Sequence, residues 1–209
     1  MPLHSRTPGG DRRSRGATRL LPHTFLQRLV IEGARWIRKG FARFYEFSPV
    51  HLNLSWVTDQ LAVGGAYKRS QIPRLKAMGV NAVIDCREEA LDDVQGLKRH
   101  GIDYLRLPTI DATALSQDAL DQGVEWARER LARGERIFVH CHHGVGRAPL
   151  MGGCILVDGG TNAVDAMELI KAHRWQAQPN EEQLGALVDY AKRRSAKADA
   201  ANAEPAQKA

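Results

Sequence analysis

The sequence predicts an α/β fold with a largely parallel central sheet of about five strands, helices on both faces and an additional amphipathic helix near the N-terminus. Two observations support this prediction. Short apolar, β-branched segments alternate with longer segments of helical period, as they do in chains that form parallel sheets. The chain also has 209 residues, 43% of them hydrophobic, which is enough to bury one sizeable core.

Turn and cap signals place the elements in order. Residues 53–57 and 61–64 predict a hairpin, and Ser70 predicts the N-cap of a helix over 71–78 that ends at Gly79. The elements predicted after it are a strand over 80–85, a helix over 91–99, a strand over 102–107, a helix over 116–132, the strand Ile137 to Val139, a helix from Pro149, a helix from Thr161 or Asn162 to Ala172, and a last helix that follows the capping pair Asn180 and Gln183 and runs to about Arg194.

Charge separates a mildly acidic central region from basic extensions. Residues 1–50 carry ten Lys or Arg against three Asp or Glu, and residues 192–209 carry five against two, which leaves a net charge of −4 for residues 51–191. The basic stretches match no nucleic-acid-binding fold, so nucleic acid is not an expected partner. The predicted segments are a disordered N-terminus over 1–23, a helix and linker over 24–50, a folded domain over 51–194 and a disordered tail over 195–209.

Residues 24–47 have the period of a basic amphipathic helix. One arc carries Leu26, Leu29, Val30, Trp36, Ile37, Phe41, Phe44 and Phe47, and the other carries Arg28, Arg35, Arg38, Lys39 and Arg43. Such a helix suits an anionic membrane interface, so we predict peripheral membrane contact through these residues. Packing on the domain's own surface and a mitochondrial-type transit peptide are the alternatives.

Cysteine usage favours a reducing compartment, because Cys86, Cys141 and Cys154 form an odd and sparse set. The longest stretch without a charged residue has 12 residues, 47–58, so no transmembrane helix is expected. No apolar h-region followed by a small-residue cleavage site is evident. We therefore predict a cytoplasmic location, with a peripheral membrane position as the alternative. The sequence does not indicate an oligomeric state.

The segment over 137–148, Ile-Phe-Val-His-Cys-His-His-Gly-Val-Gly-Arg-Ala, joins a predicted buried strand to a predicted helix. Ligands of open α/β sheets bind at such strand ends. Gly144 and Gly146 let successive backbone N–H groups point into one concavity, and the following helix N-terminus also favours an anion. Arg147 adds a fork that suits two oxygens of a tetrahedral oxyanion. Cys141 then lies at the floor of a phosphate-shaped cup, where the same donors stabilise its thiolate.

These residues carry a resemblance to a known family. His140-Cys141-x-x-Gly144-x-x-Arg147 resembles the signature of the cysteine-dependent protein tyrosine phosphatases of dual-specificity type, and the loop is most similar to that of the phosphatases of regenerating liver. The resemblance extends from about Leu54 to Tyr190. It implies the dual-specificity phosphatase fold, a phosphocysteine intermediate on Cys141, and no metal or other cofactor. The residues expected to bind the substrate phosphate are His142, His143, Gly144, Val145, Gly146 and Arg147.

A second catalytic group must protonate the leaving oxygen, and a carboxylic acid on a loop is the usual solution. Asp111 is our candidate, because it follows the strand over 102–107 at the sheet edge that carries Cys141. It lies 30 residues before Cys141, similar to the general acid of dual-specificity enzymes. A structural loop Asp is the alternative. Asp118 is less favoured because it falls in the first turn of a helix, and Asp103 is expected to be remote.

One departure from the family bears on mechanism. Most members have Ser or Thr directly after the signature Arg, and its hydroxyl helps the sulfur to leave when the phosphocysteine is hydrolysed. Ala148 cannot do this. We therefore predict slow hydrolysis of the intermediate, with a burst of product followed by low turnover. A weakly catalytic phosphate-binding module is the corresponding alternative function.

Three further residues are singled out by the resemblance or by their position. In the regenerating-liver family a cysteine near the position of Cys86 can form a disulfide with the nucleophile, so Cys86 is a candidate redox partner, and an ordinary core thiol is the interpretation we favour. Cys154 is predicted to lie in the core. Arg174 resembles an Arg that often contacts the signature loop, but we favour a surface salt bridge for it.

Substrate preference is the least determined feature. The loop contains no Lys, which favours phosphotyrosine or phosphothreonine in proteins. We therefore predict a phosphatase of phosphomonoesters that acts on phosphotyrosine or phosphothreonine in proteins. A membrane phospholipid, which the amphipathic segment favours, is the alternative substrate. The last residues, Ala206-Gln207-Lys208-Ala209, contain no prenylation box, which the regenerating-liver phosphatases usually carry. Any membrane attachment would therefore need another device, for which residues 24–47 are the candidate.

Overall fold

The computed structural model describes residues 52–203. Several predictions fall on residues outside this range: disorder over 1–23, the amphipathic helix over 24–47 with its linker to residue 50, and the end of the tail from residue 204. For these the sequence expectations stand as they are.

The central sheet has five strands in the described part of the chain: β1 (Leu54–Trp56), β2 (Leu61–Gly64), β3 (Ala82–Arg87), β4 (Asp103–Thr109) and β5 (Ile137–His140). Their order across the sheet is β1-β2-β5-β3-β4. β1 pairs antiparallel with β2, as the predicted hairpin requires, and all other neighbouring strands pair in parallel. The predicted largely parallel sheet is confirmed, and β5, which leads into the signature loop, lies at its centre.

Helices cover both faces of the sheet, as predicted. They are α1 (Ile72–Ala77), α2 (Val94–Arg99), α3 (Gln117–Ala132), α4 (Arg147–Asp158), α5 (Ala163–His173) and α6 (Glu181–Ala203). Successive strand residues point to opposite faces. Phe138 therefore packs with residues of α1 and α2, while Ile137 and Val139 on either side of it pack with residues of α3 to α6. None of the helices within residues 52–203 is both long and apolar enough to cross a bilayer.

Three helix starts differ from the sequence prediction. α2 begins at Val94 rather than at residue 91, after the N-cap Asp93. Ser70 is not an N-cap, because a 3₁₀ turn over Arg69–Gln71 precedes α1, and the Gln71 side chain accepts a hydrogen bond from the Lys68 backbone N–H at 2.8 Å. α4 begins at Arg147 rather than at Pro149. The earlier start places Arg147 in the first turn of the helix, directly beside the loop that it is predicted to close.

The final helix is longer than predicted. Asn180 and Gln183 cap its start as expected, each side chain accepting from the backbone N–H of the other at 2.9–3.0 Å. The helix then continues past Arg194 to Ala203, so residues 195–203 of the predicted disordered tail are helical. Alanine and lysine are strong helix formers, and no Gly or Pro occurs between Gly185 and Pro205 to stop the helix.

Candidate active site

The signature loop joins β5 to α4 at the carboxyl edge of the sheet. Its carbonyl groups accept hydrogen bonds from donors that lie outside the loop. The pairs are His142 O with Ala66 N at 2.9 Å, His143 O and Gly144 O with the Arg174 guanidinium at 2.8 and 2.7 Å, and Val145 O with Gln178 N at 2.8 Å. A trans peptide points its N–H opposite to its carbonyl. The loop N–H groups are therefore turned inward, which is the arrangement of an anion-binding nest.

Cys141 lies at the floor of this loop with 3% of its surface exposed. Its Sγ accepts a hydrogen bond from the Gly144 backbone N–H at 3.2 Å. Gly144 has a φ of +69°, and a Cβ there would lie 2.3 Å from the Gly64 carbonyl. Only glycine fits this conformation, which directs the Gly144 N–H towards the sulfur. The geometry suits a sulfur that carries negative charge.

Arg147 is buried and is held by three residues, Glu89 and Asp111 on neighbouring loops and Thr109 at the end of β4. Both Nη atoms contact the Glu89 carboxylate at 2.8 Å, Nη1 also donates to the Thr109 carbonyl at 2.7 Å, and Nη2 lies 2.7 Å from Asp111 Oδ1. Burial acts to lower the pKa of Arg147, but the Glu89 hydrogen bonds and the surrounding negative groups raise it overall. The guanidinium is thus a fixed positive charge at the loop.

Glu89 is a functional residue that the sequence analysis missed. Its hydrogen bonds to Arg147 hold the pKa of its carboxyl at about 2, below its usual value of 4.5. A signal was available, because Glu88 and Glu89 directly follow β3, whose carboxyl end lies at the same sheet edge as Cys141. What the sequence lacks is the pairing of β3 with β5, which brings the two segments together.

One donor of Arg147 has no partner. Its Nε is buried without a hydrogen bond among the described residues, although every nitrogen of a guanidinium is a donor. The Nε and Nη2 atoms form one edge of the guanidinium, and Nη2 contacts Asp111. A tetrahedral oxyanion that accepted from both atoms would satisfy the orphan donor and displace Asp111 from Arg147.

The structure brings Asp111 to the loop and leaves the other two carboxylates elsewhere. Asp118 lies in the first turn of α3, and Asp103 opens β4, where it pairs with Arg130 at 2.8 Å. The residue after Asp111, Ala112, has a φ of +62°, which is unusual for a residue with a Cβ. Asn180 at the start of α6 donates to the Ala112 carbonyl at 2.6 Å and fixes this turn.

Arg174 corrects one sequence interpretation. It is not part of a surface salt bridge but is 1% exposed, and it donates to the carbonyls of His143 and Gly144 as well as to Asn53 Oδ1 at 2.9 Å. The turned-out loop carbonyls need donors when they are buried, and a guanidinium supplies several in one plane. Arg174 therefore supports the loop on its outer side, opposite to the inward-facing N–H groups.

Cys86 lies next to the nucleophile. Asp85 of β3 pairs with His140 of β5, so Cys86 follows in register with Cys141, and all three cysteines are free thiols in this structure. Burial, and then the neighbouring Cys141, raise the pKa of the Cys86 thiol. Its role as a redox partner of Cys141 stays a prediction. Cys154 is fully buried in the core, as expected.

One cluster in the described residues has the composition of a metal site, namely Asp85, Asp92 and His140. The Arg87 guanidinium already pairs with Asp85 through Nε and Nη2 at 2.8 Å and also contacts Asp92. The Arg87 guanidinium thus already supplies the positive charge of the cluster, so its residues do not fit a metal ion.

His142 and His143 are exposed loop residues whose rings contact each other, with their centroids 4.3 Å apart.

The family model described as "Dual specificity phosphatase, catalytic domain" matches residues 63–193. An Arabidopsis thaliana protein named phosphatidylglycerophosphate phosphatase PTPMT1 is 34% identical over 104 residues, covering 48% of this chain and 31% of the relative. The human phosphatidylglycerophosphatase and protein-tyrosine phosphatase 1 is 28% identical over 117 residues, covering 53% of this chain and 52% of the relative. The matches thus span between about a third and a half of these two relatives.

Solved structures share the fold. A crystal structure of PTPMT1 is 25% identical, with a TM-score of 0.66 and coverage of 70% of this chain and 98% of that chain. Human DUSP28 is 22% identical, with a TM-score of 0.61 and coverage of 69% and 97%, and it supports the fold alone. The resemblance to the dual-specificity phosphatases is confirmed. The finer similarity to the phosphatases of regenerating liver stays a prediction from the loop sequence.

Proposed function

The chain belongs to the family of dual specificity phosphatase catalytic domains, and from this premise we propose that it hydrolyses phosphomonoesters through a phosphocysteine intermediate on Cys141. One observation carries the proposal. The sulfur of Cys141 accepts an N–H of a loop whose other N–H groups face inward, and Arg147 and Asp111 meet at the same loop. A nucleophile, an oxyanion cradle and a carboxyl group are therefore together.

The proposed reaction has two steps, and each of these residues has a defined task in it. The Cys141 thiolate attacks phosphorus and forms the S–P bond, while the P–O bond to the leaving group breaks. The loop N–H groups and Arg147 hold the equatorial oxygens as charge develops on them. Asp111, displaced from Arg147 and acting in its acid form, gives its proton to the leaving oxygen. Asp111 then takes a proton from water, whose oxygen attacks phosphorus and releases phosphate and the Cys141 thiolate.

The second step is proposed to be slow. Ala148, buried directly after Arg147, offers no hydroxyl to the departing sulfur. The phosphocysteine should therefore accumulate, which gives a burst of product followed by low turnover.

A phospholipid phosphomonoester is the substrate class that we put first. One relative is named as a phosphatidylglycerophosphate phosphatase, and a second is named as both a phosphatidylglycerophosphatase and a protein-tyrosine phosphatase. The described structure adds its own support, because Leu91 and Ile110 are 64% and 62% exposed. They lie on the two loops that carry Glu89 and Asp111, the carboxylates that contact Arg147. Apolar side chains beside a phosphate cup suit a headgroup presented by a lipid surface. A peripheral membrane position, together with the segment over 24–47, completes this proposal.

A phosphorylated protein is the second substrate candidate. The loop has no Lys, and a Xenopus laevis relative, dual specificity protein phosphatase 1-B, is 25% identical over 134 residues, covering 62% of this chain and 35% of the relative. A phosphotyrosyl peptide would then be hydrolysed faster than any lipid.

Rapid-quench assays on an aryl phosphate test the reaction. We expect a burst close to one product per enzyme, a phosphorylated protein that is trapped by acid, and loss of both in Cys141→Ser. Hydrolysis retained by Cys141→Ser would refute the proposed chemistry. A wild-type protein that binds a phosphotyrosyl peptide without hydrolysing it would instead support the phosphate-binding module.

The substrate class is tested by comparing phosphatidylglycerophosphate in vesicles, a short-chain monomeric form of it and a phosphotyrosyl peptide. We expect Leu91→Asp to lower hydrolysis in vesicles roughly tenfold and to leave aryl phosphate hydrolysis unchanged. Val164→Asp is the matched control, because Val164 is 70% exposed at the start of α5. The opposite end of α5 is the one near the signature loop, since Arg174, which follows it, contacts Gly144. Equal effects of the two variants, or a preference for the peptide, would contradict a lipid substrate.

A further inference from the structure

Residues 88–93, which we name the strap loop, join β3 to α2 and contact both ends of the signature loop. Glu89, near the start of the strap loop, pairs with Arg147, which follows the signature loop. Asp92, near its end, accepts a hydrogen bond from His140 Nε2 at 2.9 Å, and His140 precedes the signature loop. One short segment thus holds the residues on either side of the nucleophile's loop.

His140 is fully buried and its ring is fixed on every side that the structure describes. It stacks on Phe138 with ring centroids 5.4 Å apart, and Tyr67 meets it edge-on at 5.2 Å. Its Nδ1 lies 3.4 Å from the carbonyl oxygen of Cys141. A change in the position of this ring must therefore move the backbone that carries the nucleophile.

Asp92 is the acceptor that this buried ring depends on. The same Oδ2 that binds His140 also accepts from the Tyr67 hydroxyl at 2.7 Å. Burial works to raise the pKa of Asp92, but the hydrogen bonds from His140 and Tyr67 and the charge of Arg87 outweigh it and lower the pKa. A carboxylate only accepts, so the Nε2 atom of His140 must carry a proton.

Asp92 is anchored in turn to the sheet. Arg87 bridges Asp92 and Asp85, and Tyr104 donates to Asp85 at 3.1 Å. The groups that face Asp92 are therefore one guanidinium, one imidazole and one phenol, with a second carboxylate behind the guanidinium. This network is not used by the proposed reaction, and none of its members contacts the sulfur of Cys141 through a hydrogen bond described here.

We propose that Asp92 is a positioning residue for the nucleophile: by holding the His140 ring, it fixes the backbone from which Cys141 presents its sulfur to the Gly144 N–H. This inference rests on the proposed function for its purpose, but not for its test. It assigns different tasks to two of the four carboxylates of the strap loop, Asp92 and Glu89. Asp92 sets the reactivity of the sulfur, and Glu89 sets the position of the guanidinium.

The experiment measures two quantities on the full chain. The rate of alkylation of Cys141 by iodoacetamide reports the sulfur, because this neutral reagent needs no anion site. The affinity for inorganic phosphate, which forms no bond to the sulfur on binding, reports the oxyanion cradle. We expect Asp92→Ala to lower the alkylation rate at pH 6 roughly tenfold, since small displacements of reacting groups have large effects on rate. The affinity for phosphate should stay within about twofold of the wild type, because Asp92 does not contact Arg147.

Two further variants make the result specific. Asp92→Asn removes the charge but keeps an oxygen that can accept from His140 Nε2, so it should retain most of the alkylation rate. Asp93→Ala is the matched control, because Asp93 is the next residue of the strap loop, caps α2 through the Gly96 N–H at 2.9 Å and has no contact with His140 in the described network. It should leave both quantities unchanged. Should Asp92→Ala fail to fold, Asp92→Ser is predicted to show the same loss.

Three results would overturn the proposal. A buried negative charge near the sulfur disfavours the thiolate, so a rate that rises in both Asp92→Ala and Asp92→Asn would mean that Asp92 acts only through its charge. An equal fall in alkylation rate and phosphate affinity would indicate general loosening of the fold. An unchanged alkylation rate would show that His140 needs no acceptor. Because alkylation requires no turnover, absence of phosphatase activity in the wild type would refute the proposed function and leave this comparison intact.

Discussion

The two ends of the signature loop are held by the same kind of pairing in opposite surroundings. At the His140 end the partner carboxylate, Asp92, is 4% exposed, whereas at the Arg147 end Glu89 is 38% exposed and Asp111 is 68% exposed. Water screens the second set of contacts and hardly reaches the first. The contact between Arg147 and Asp111 is the most exposed of these, so a substrate oxyanion can take the place of Asp111 on the guanidinium. The buried end therefore sets geometry, and the open end can exchange a carboxylate for substrate.

The comparison also predicts which substitutions should lower catalytic activity and which should lower the free energy of unfolding. At the open end, Arg147 makes its contacts for binding and catalysis. Behind the loop, Arg174 satisfies carbonyls that would otherwise be buried and unpaired. Substitution of Arg147 should therefore lower activity, whereas substitution of Arg174 should lower stability.

Arg147→Lys tests the open end and should have the largest effect. A lysine keeps the charge but cannot reach Glu89, Thr109 and an oxyanion at once, because its donors radiate from one atom. We expect kcat/KM on an aryl phosphate to fall about 1000-fold or more, the order found when transition-state donors are removed. Arg133→Lys is the control, because Arg133 directly follows α3, is 53% exposed and pairs with Glu135. A loss of less than tenfold would show that Arg147 serves mainly as a structural ion pair.

Arg174→Met tests the support behind the loop and should act chiefly on stability. It leaves the carbonyls of His143 and Gly144 without their buried donor, which costs about 3 kcal/mol of unfolding free energy. Urea denaturation measures the change. Lys171→Met, an exposed position on α5, is the matched control and should change stability by less than about 0.5 kcal/mol. If the two variants are equally stable, Arg174 does not support the loop as described.

Ala148→Ser tests the proposed slow step at the loop itself. A hydroxyl beside the sulfur should assist its departure, so we expect steady-state kcat to rise about tenfold and the burst amplitude to fall. Rapid-quench kinetics on an aryl phosphate separates the two steps. An unchanged kcat with an unchanged burst would mean that loss of the hydroxyl does not limit turnover.

The same contrast explains how much of the site the sequence predicts. Cys141, Arg147 and Asp111 could be placed because a strand, a Gly-rich turn and a helix start are local signals, and because Asp111 follows a strand that ends at the same edge. Glu89, Asp92 and Arg174 could not be assigned roles in this way. Their positions depend on the register of β3 against β5 and on the packing of α5, which are long-range contacts that no local pattern encodes.

The fold shows the same division. Strand and helix order could be predicted from periodicity, and Asn162 is an N-cap, as the sequence indicates. The end of α6 could not be predicted in this way, because an Ala- and Lys-rich tail is typical of disorder although the same residues favour a helix. The start of α4 at Arg147 was missed for a tertiary reason. The signature loop, with its carbonyls bound from outside, leads directly into a helical turn.

The pH dependence of stability gives the smallest predicted effect and the sharpest check on the open end. Arg147 lowers the pKa of Glu89 from 4.5 to about 2, so this pairing stabilises the folded state fully above pH 4.5 and loses its contribution as the pH falls towards 2. Because Glu89 is exposed to water, we expect the stability advantage of the wild type over Glu89→Gln to shrink by less than about 1 kcal/mol between pH 5 and pH 2.5. Chemical denaturation at each pH and at 0.15 M salt measures it. An advantage that shrinks by several kcal/mol would mean that water does not screen the pair, and the two ends of the signature loop would then not differ in this respect.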